Sequence, residues 1–303
     1  MFCSDDKHPD NLAISHINEL AARAVAKGKD VFEVLRAACL NPIAHYSLPV
    51  GQVREGDPAD FILVKDLQKF EVLATYSKGQ KVAESGKTLI PLVNNEVINN
   101  FHTSLKRPED FQLSASGTKV RVIEALDGQL ITPEIEGEIL IRDGLAESNP
   151  EKDILKITVV NRYQDAPPAV AFIKNFGLKT GAIASSVGHD SHNIIAVGID
   201  NESICSAVNL LIEAKGGISA VSGEKEEVLP LPVGGIMSPE DGYQVAEAYT
   251  RIDRMAKEMG SNLNSPFMTL SFMALLVIPD LKLSDKGLFD GRNFAFCDLF
   301  FGL

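Results

Sequence analysis

Met1-Phe2-Cys3-Ser4-Asp5-Asp6-Lys7-His8-Pro9 sets three apolar residues against two adjacent carboxylates, a histidine and a proline. The residues after Pro9 have a helical period, with apolar positions at Leu12, Ile17, Leu20, Ala21, Ala24 and Val25. Proline suits the first turn and Gly28 the stop, so the pattern predicts one helix over this stretch. Asp5 and Asp6 then fall where a short strand ends and a helix begins. In a βα barrel that edge is the catalytic face, although an acidic pair before proline is also ordinary helix capping.

A second helix comes next. Asp30 stands three residues before Glu33, the spacing of a capping box, and VFEVLRAACL continues with helical period to a stop before Asn41-Pro42. From Gly51 the texture changes to short β-like runs, GQVREGDPADFILV and KFEVLATYSKGQKVAESGK, with Lys78-Gly79 as a hairpin turn. Residues 96–118 read as a polar passage into another unit. Beyond it, strand-like runs (KVRVIEAL, GEILI, ILKITVVNRY, AVAFIKNF, GAIAS, NIIAVGI) mix with two helices. Asp200 or Asn201 is expected to cap the first of these helices and Ser238 the second. No repeat period is present, so the fold class is α/β to α+β.

Composition narrows the function. The chain has 303 residues, 45% apolar and 23% charged, enough to bury a core. A net charge of -12 with no basic run argues against a nucleic-acid partner, whose phosphates demand Lys and Arg. Cys3, Cys39, Cys205 and Cys297 lack metal-knot spacing and suit free thiols in a reducing, cytoplasmic setting. The opening residues have neither the basic nor the apolar region of a signal peptide. Pro266–Pro279 is too short to span a bilayer, so no membrane role is expected.

The order SDDKHP, two helices, Asn41-Pro42-Ile43-Ala44, Gly51, then Glu55-Gly56-Asp57-Pro58-Ala59-Asp60 resembles the end of an amidohydrolase barrel entering its small β module. GHDSHNI (188–194), LPLPVGGIMS (229–238), PFM (266–268) and LLVIP (275–279) resemble the C-terminal domain of bacterial adenine deaminases. The resemblance covers essentially the whole chain. It implies three parts: residues 1–48 as the last strand and helices of a truncated metal-dependent TIM barrel, 49–95 as a small β-sandwich module, and 96–303 as an α+β domain. It also implies hydrolysis of adenine to hypoxanthine and ammonia in purine salvage, with manganese, iron or zinc bringing the pKa of bound water near neutrality. Asp5 would bind the metal and carry the proton of the attacking water, with Asp6 the second candidate for this catalytic role. The family's HxH, its acidic bridging ligand and its two mid-barrel histidines have no counterpart here. A single aspartate does not hold such an ion, so the expectation is a C-terminal fragment inactive alone.

Three readings stay open at His189-Asp190-Ser191-His192: a hydrogen-bonded turn, a lining for the adenine pocket, and a metal site of its own. Gly234-Gly235 fits either a turn or a close approach to a ligand. The competing functions are a non-catalytic assembly or ligand-binding module and an amidohydrolase acting on another purine or a cyclic amide. Oligomeric state is open, a homo-oligomer included.

Overall fold

In the computed structural model, which describes residues 1–93 and 96–301, Pro9 opens α1 (Pro9–Ile14). The expected single helix is broken at Ser15, whose backbone is extended, and resumes as α2 (Ile17–Ala26). Local side chains compete with the helix here: Ser15 Oγ donates to Glu19, and Asn18 Oδ1 accepts the His16 N–H at 2.9 Å. Gly28 lies just past the helix end with φ +82°, the left-handed stop that its lack of a Cβ allows.

Asp30 does cap α3 (Val31–Leu35), accepting from the Phe32 and Glu33 N–H groups. The chain does not stop at Pro42. A π-turn over Arg36–Leu40, closed by Asn41 N–H to Arg36 C=O, leads into α4 (Asn41–Tyr46). The wider turn relieves the i−4 carbonyl of the bond and the space that proline cannot share.

The chain divides into two compact units: residues 1–94 with 240–247, and residues 95–239 with 248–303. In the first unit, β1 (Phe61–Val64), β2 (Val72–Ser77), β3 (Gln80–Glu84) and β4 (Lys87–Thr88) form an antiparallel meander. Lys78 and Gly79 both take positive φ at the β2–β3 turn, as a two-residue hairpin demands. Asp60 fastens the approach to β1. Its carboxylate accepts from Gly51 N–H at 2.9 Å and Lys78 N–H at 2.7 Å, and these bonds hold it below the usual carboxylate range. A Cβ on Gly51 would lie 1.8 Å from the Pro58 carbonyl oxygen, which accounts for the Gly…Ala-Asp pattern. The core of this unit is small, Ala21, Val34 and Phe70 with partly buried neighbours, while Ile14, Phe32, Ile62 and Leu63 stay exposed.

The second unit is built on an eight-stranded sheet. Its strands are β5 (Lys119–Glu124), β6 (Glu134–Glu138), β9 (Ile154–Val160), β10 (Ala169–Lys174), β11 (Ala182–Ser185), β12 (Ile194–Gly198), β13 (Gly217–Ser222) and β14 (Lys225–Pro230). Between β6 and β9 lies a separate hairpin, β7 (Leu140–Arg142) and β8 (Leu145–Glu147). Across the large sheet the order is β14-β13-β11-β12-β9-β10-β5-β6, and only β10 and β5 run parallel. Strands β9, β11 and β12 are buried along their whole length, so both faces are covered and the alternation of a half-exposed strand is missing.

On one face lies α5 (Asn201–Glu213), capped by Asp200, which accepts from Ser203 N–H. Its Ile204, Val208 and Leu211 pack with Ala182, Ala184, Ala196 and Phe111. The helix α6 (Gly242–Glu258) starts one residue after Asp241, whose side chain accepts from Tyr243 and Gln244 N–H; the cap is thus Asp241 rather than Ser238. Next come α7 (Pro266–Ser271), which packs on β11 and β12, and a three-stranded sheet of β15 (Leu281–Ser284), β16 (Gly287–Asp290) and β17 (Ala295–Phe296). No helix among the described residues is long and apolar enough to cross a membrane.

Candidate functional site

The acidic pair lies in the first unit. Residues 1–8 pair with no strand, and Asp5 and Asp6 are both exposed. A lone apolar segment has no neighbour to complete its ladder, which is why the expected strand remnant is not one. Asp5 sits at φ +57° with Oδ1 accepting the Asp6 N–H at 2.8 Å, and Ser4 Oγ meets His16 Nε2 at 2.8 Å. Among the described residues no three of His, Cys, Asp and Glu are grouped to hold a metal ion. A divalent cation needs three or more protein ligands in fixed geometry, so these residues do not complete a metal centre by themselves.

The second motif group comes together at one end of the large sheet. Ile194 pairs with Val160 and Ser185 with Ile218, so the turn after β9, the loop between β11 and β12, and the segments flanking the β13–β14 hairpin share that end. In the β11–β12 loop His192 N–H donates to Gly188 C=O at 2.7 Å. Gly188 N–H in turn donates to His192 Nδ1 at 3.2 Å, so the neutral ring carries its proton on Nε2. His189 stacks on Phe272, centroids 4.6 Å apart at 18°, and its backbone N–H donates to Ser271 C=O. The two imidazoles lie 5.7 Å apart, both half-buried, and Asp190 between them is exposed. The loop is thus a closed turn that holds two histidine rings near each other beside an exposed aspartate.

Gly234-Gly235 forms a turn, and the close approach there is made by an arginine. Both glycines have positive φ, and a Cβ on Gly235 would lie 1.7 Å from Arg162 Nη1. Arg162 Nη1 donates to Gly234 C=O at 2.7 Å, and Ser186 Oγ donates to Gly235 C=O at 2.6 Å. Gly216 meets the same backbone, with its missing Cβ 2.5 Å from Gly235 Cα. Pattern reading missed Arg162, Tyr163 and Ser186. For Arg162 and Tyr163 the signal was their place right after an Asn suited to a turn at the end of the strand run ILKITVVNRY; Ser186 carried none.

A cavity of about 470 Å³ is lined by Ser104, Lys106, Arg107, Asp165 and Pro167. Lys106 bridges to Asp165 there, and with Ser104 holds that carboxyl below its usual range.

The chain also resembles known proteins over nearly its whole length. Residues 129–295 match the family described as adenine deaminase C-terminal domain, and residues 1–82 match the amidohydrolase family. An adenine deaminase of Sulfurovum sp. strain NBC37-1 is 56% identical over 299 residues, covering 98% of this chain and 55% of that protein. One from Salinibacter ruber is 53% identical over 302 residues, 99% of this chain and 55% of its own length. One from Methanosarcina acetivorans is 48% identical over 311 residues, with 99% and 56% covered. The chain spans about half the length of the curated relatives it matches.

Proposed function

The chain belongs to the adenine deaminase family, and from that membership we propose that it forms the C-terminal portion of an enzyme hydrolysing adenine to hypoxanthine and ammonia in cytoplasmic purine salvage. The observation that carries the reading is identity of 56% over 98% of the chain. The family implies a divalent metal, and the proposal is that manganese, iron or zinc serves.

Within this reading Asp5 supplies one metal ligand and holds a proton beside the substrate, with Asp6 as second candidate. The remaining ligands come from the rest of the enzyme, since this chain spans only about half the length of the relatives it matches. Residues 1–48 are the tail of that barrel and the meander is one layer of the family's β-sandwich. Exposed Ile14, Phe32, Ile62 and Leu63 support this, because apolar surface of that kind calls for a covering layer. His189, Asp190 and His192 line the adenine pocket.

Adenine-dependent ammonia release by the purified chain, after incubation with manganese, iron or zinc and with metal content measured on the same sample, tests the proposal. The expected result is no turnover and no stoichiometric metal from the chain alone, and turnover by a complete enzyme carrying this sequence that Asp5→Asn abolishes. Robust turnover by the isolated chain would overturn the reading that the metal centre is incomplete here, and a complete enzyme indifferent to Asp5→Asn would overturn the assignment of Asp5. A second reading, a non-catalytic binding or assembly module, is favoured by the second unit's self-contained core. It requires a complete enzyme that leaves adenine untouched.

A further inference from the structure

We infer that Arg162 and Tyr163 are positioning residues that lock the 188–193 loop to the 233–237 loop and so fix the surface offered to substrate. The inference rests on the reading of His189, Asp190 and His192 as pocket residues. Asn161 begins the construction: its Oδ1 accepts the N–H groups of Tyr163 at 2.9 Å and Gln164 at 3.2 Å. That turn throws two neighbouring side chains toward two different loops. Arg162 Nη1 reaches the Gly234 carbonyl, and its Nη2 donates to Tyr163 Oη at 2.9 Å. Tyr163 Oη donates onward to the Ser191 carbonyl at 2.6 Å. One continuous path of hydrogen bonds therefore joins Gly234 to Ser191 through a guanidinium and a phenol.

The Arg162 main chain is pinned as well. Its N–H donates to Asn193 Oδ1 at 3.2 Å, and its carbonyl accepts from His102 N–H at 2.8 Å. The guanidinium is 4.7 Å from the Tyr163 ring centroid and 5.8 Å from that of Phe101.

What sets this apart from a simple tie is the charge. Arg162 is only 5% exposed, its Nε has no hydrogen-bond partner, and no carboxylate pairs with it among the described residues. Burying an uncompensated cation is costly, and a neutral amide would tie two carbonyls together at less expense. The cation polarises the Tyr163 hydroxyl, because a donor that itself accepts a charge-assisted bond makes a shorter, stiffer bond onward. The short contact to Ser191 agrees with this. Stiffness is placed at the loop that carries His189 and His192, on the bond that sets where they stand.

Tyr163→Phe keeps the ring beneath the guanidinium and cuts the path at one hydroxyl. Tyr163 is 36% exposed, so the change leaves the core intact. Arg162→Lys keeps the charge and loses the fork. Backbone hydrogen exchange on the full chain is expected to rise roughly tenfold at residues 188–193 in Tyr163→Phe, with β11 and β12 unchanged, as loss of one charge-assisted bond implies. In the complete enzyme the same variant should raise KM for adenine several-fold with kcat nearly constant, a split that general destabilisation does not produce. Unchanged exchange at 188–193 would overturn the lock. Faster exchange with KM unmoved would overturn its link to substrate, and with it the pocket role of the loop. A wild-type complete enzyme that deaminates no adenine would refute the underlying reading instead, and is told apart because the exchange measurement needs no activity.

Discussion

Replacing Lys282 with methionine should stabilise the second unit at neutral pH and do so less as the solution turns alkaline. Lys282 lies in β15 with its side chain wholly buried, and Nζ donates to the Leu130 carbonyl at 2.7 Å. No carboxylate pairs with it among the described residues, and burial pushes its ammonium down from 10.5 to about 8. At pH 7 both the folded and unfolded lysines are protonated, so the folded state bears the full cost of the buried charge. The difference between 10.5 and about 8 converts to roughly 3 kcal/mol at about 1.4 kcal/mol per tenfold change in proton affinity. Between those two values the folded lysine has released its proton while the unfolded one keeps it, so wild-type stability climbs with pH. Above the higher value the cost is gone. Methionine keeps the unbranched stem without charge, and leaves the Leu130 carbonyl unpartnered at a cost of about 1 kcal/mol. The net expectation is a gain of about 2 kcal/mol at pH 7 that is gone by about pH 9.5 and becomes a loss of about 1 kcal/mol above pH 10.5. Urea denaturation followed by far-ultraviolet circular dichroism measures it, since the chain has no tryptophan. Taking variant minus wild type cancels the other groups that titrate in this range. A shift of the same size at both pH values, or a loss at pH 7, would refute the buried-charge argument.

The geometry gives two further outcomes. Gly235→Ala should cost roughly 2–4 kcal/mol, because it adds left-handed strain to a Cβ placed on the Arg162 guanidinium, whereas Gly234→Ala, with nothing nearer than 3.9 Å, should cost only about 1. Equal losses in denaturant titrations would show that Arg162 does not occupy the space the structure gives it. Limited proteolysis should cut first within residues 1–93, where the core is small and apolar side chains stand exposed, and leave a resistant fragment from the second unit. Mass spectrometry of early products locates the cuts, and cleavage inside β9–β12 ahead of them would contradict this ranking.

The local rules carried much of this protein. Asp30 and Asp200 as caps, Gly28 as a stop and Lys78-Gly79 as a hairpin turn depend on the backbone needs of a few neighbours, so single residues announce them. The strands β5, β9, β10, β11 and β12 were legible as apolar runs for the same reason. The β13–β14 hairpin was not: Lys225–Pro230 carries Glu226 and Glu227 on an edge strand, where charge discourages further pairing and hides the pattern. Pro42 read as a stop, yet a π-turn carried the helix past it, an option decided by how the preceding turn is wound.

The chemistry divides in the same way. GHDSHNI and LPLPVGGIMS stand out in the sequence by themselves, and the family they point to is the one the chain belongs to. That the two motifs meet, and that Arg162 and Tyr163 join them, was decided by the antiparallel order of β9, β11, β12 and β13, which returns residues 162, 191 and 234 to one sheet end. Strand order is set by burial summed over the whole core, and no local stretch of sequence contains that sum.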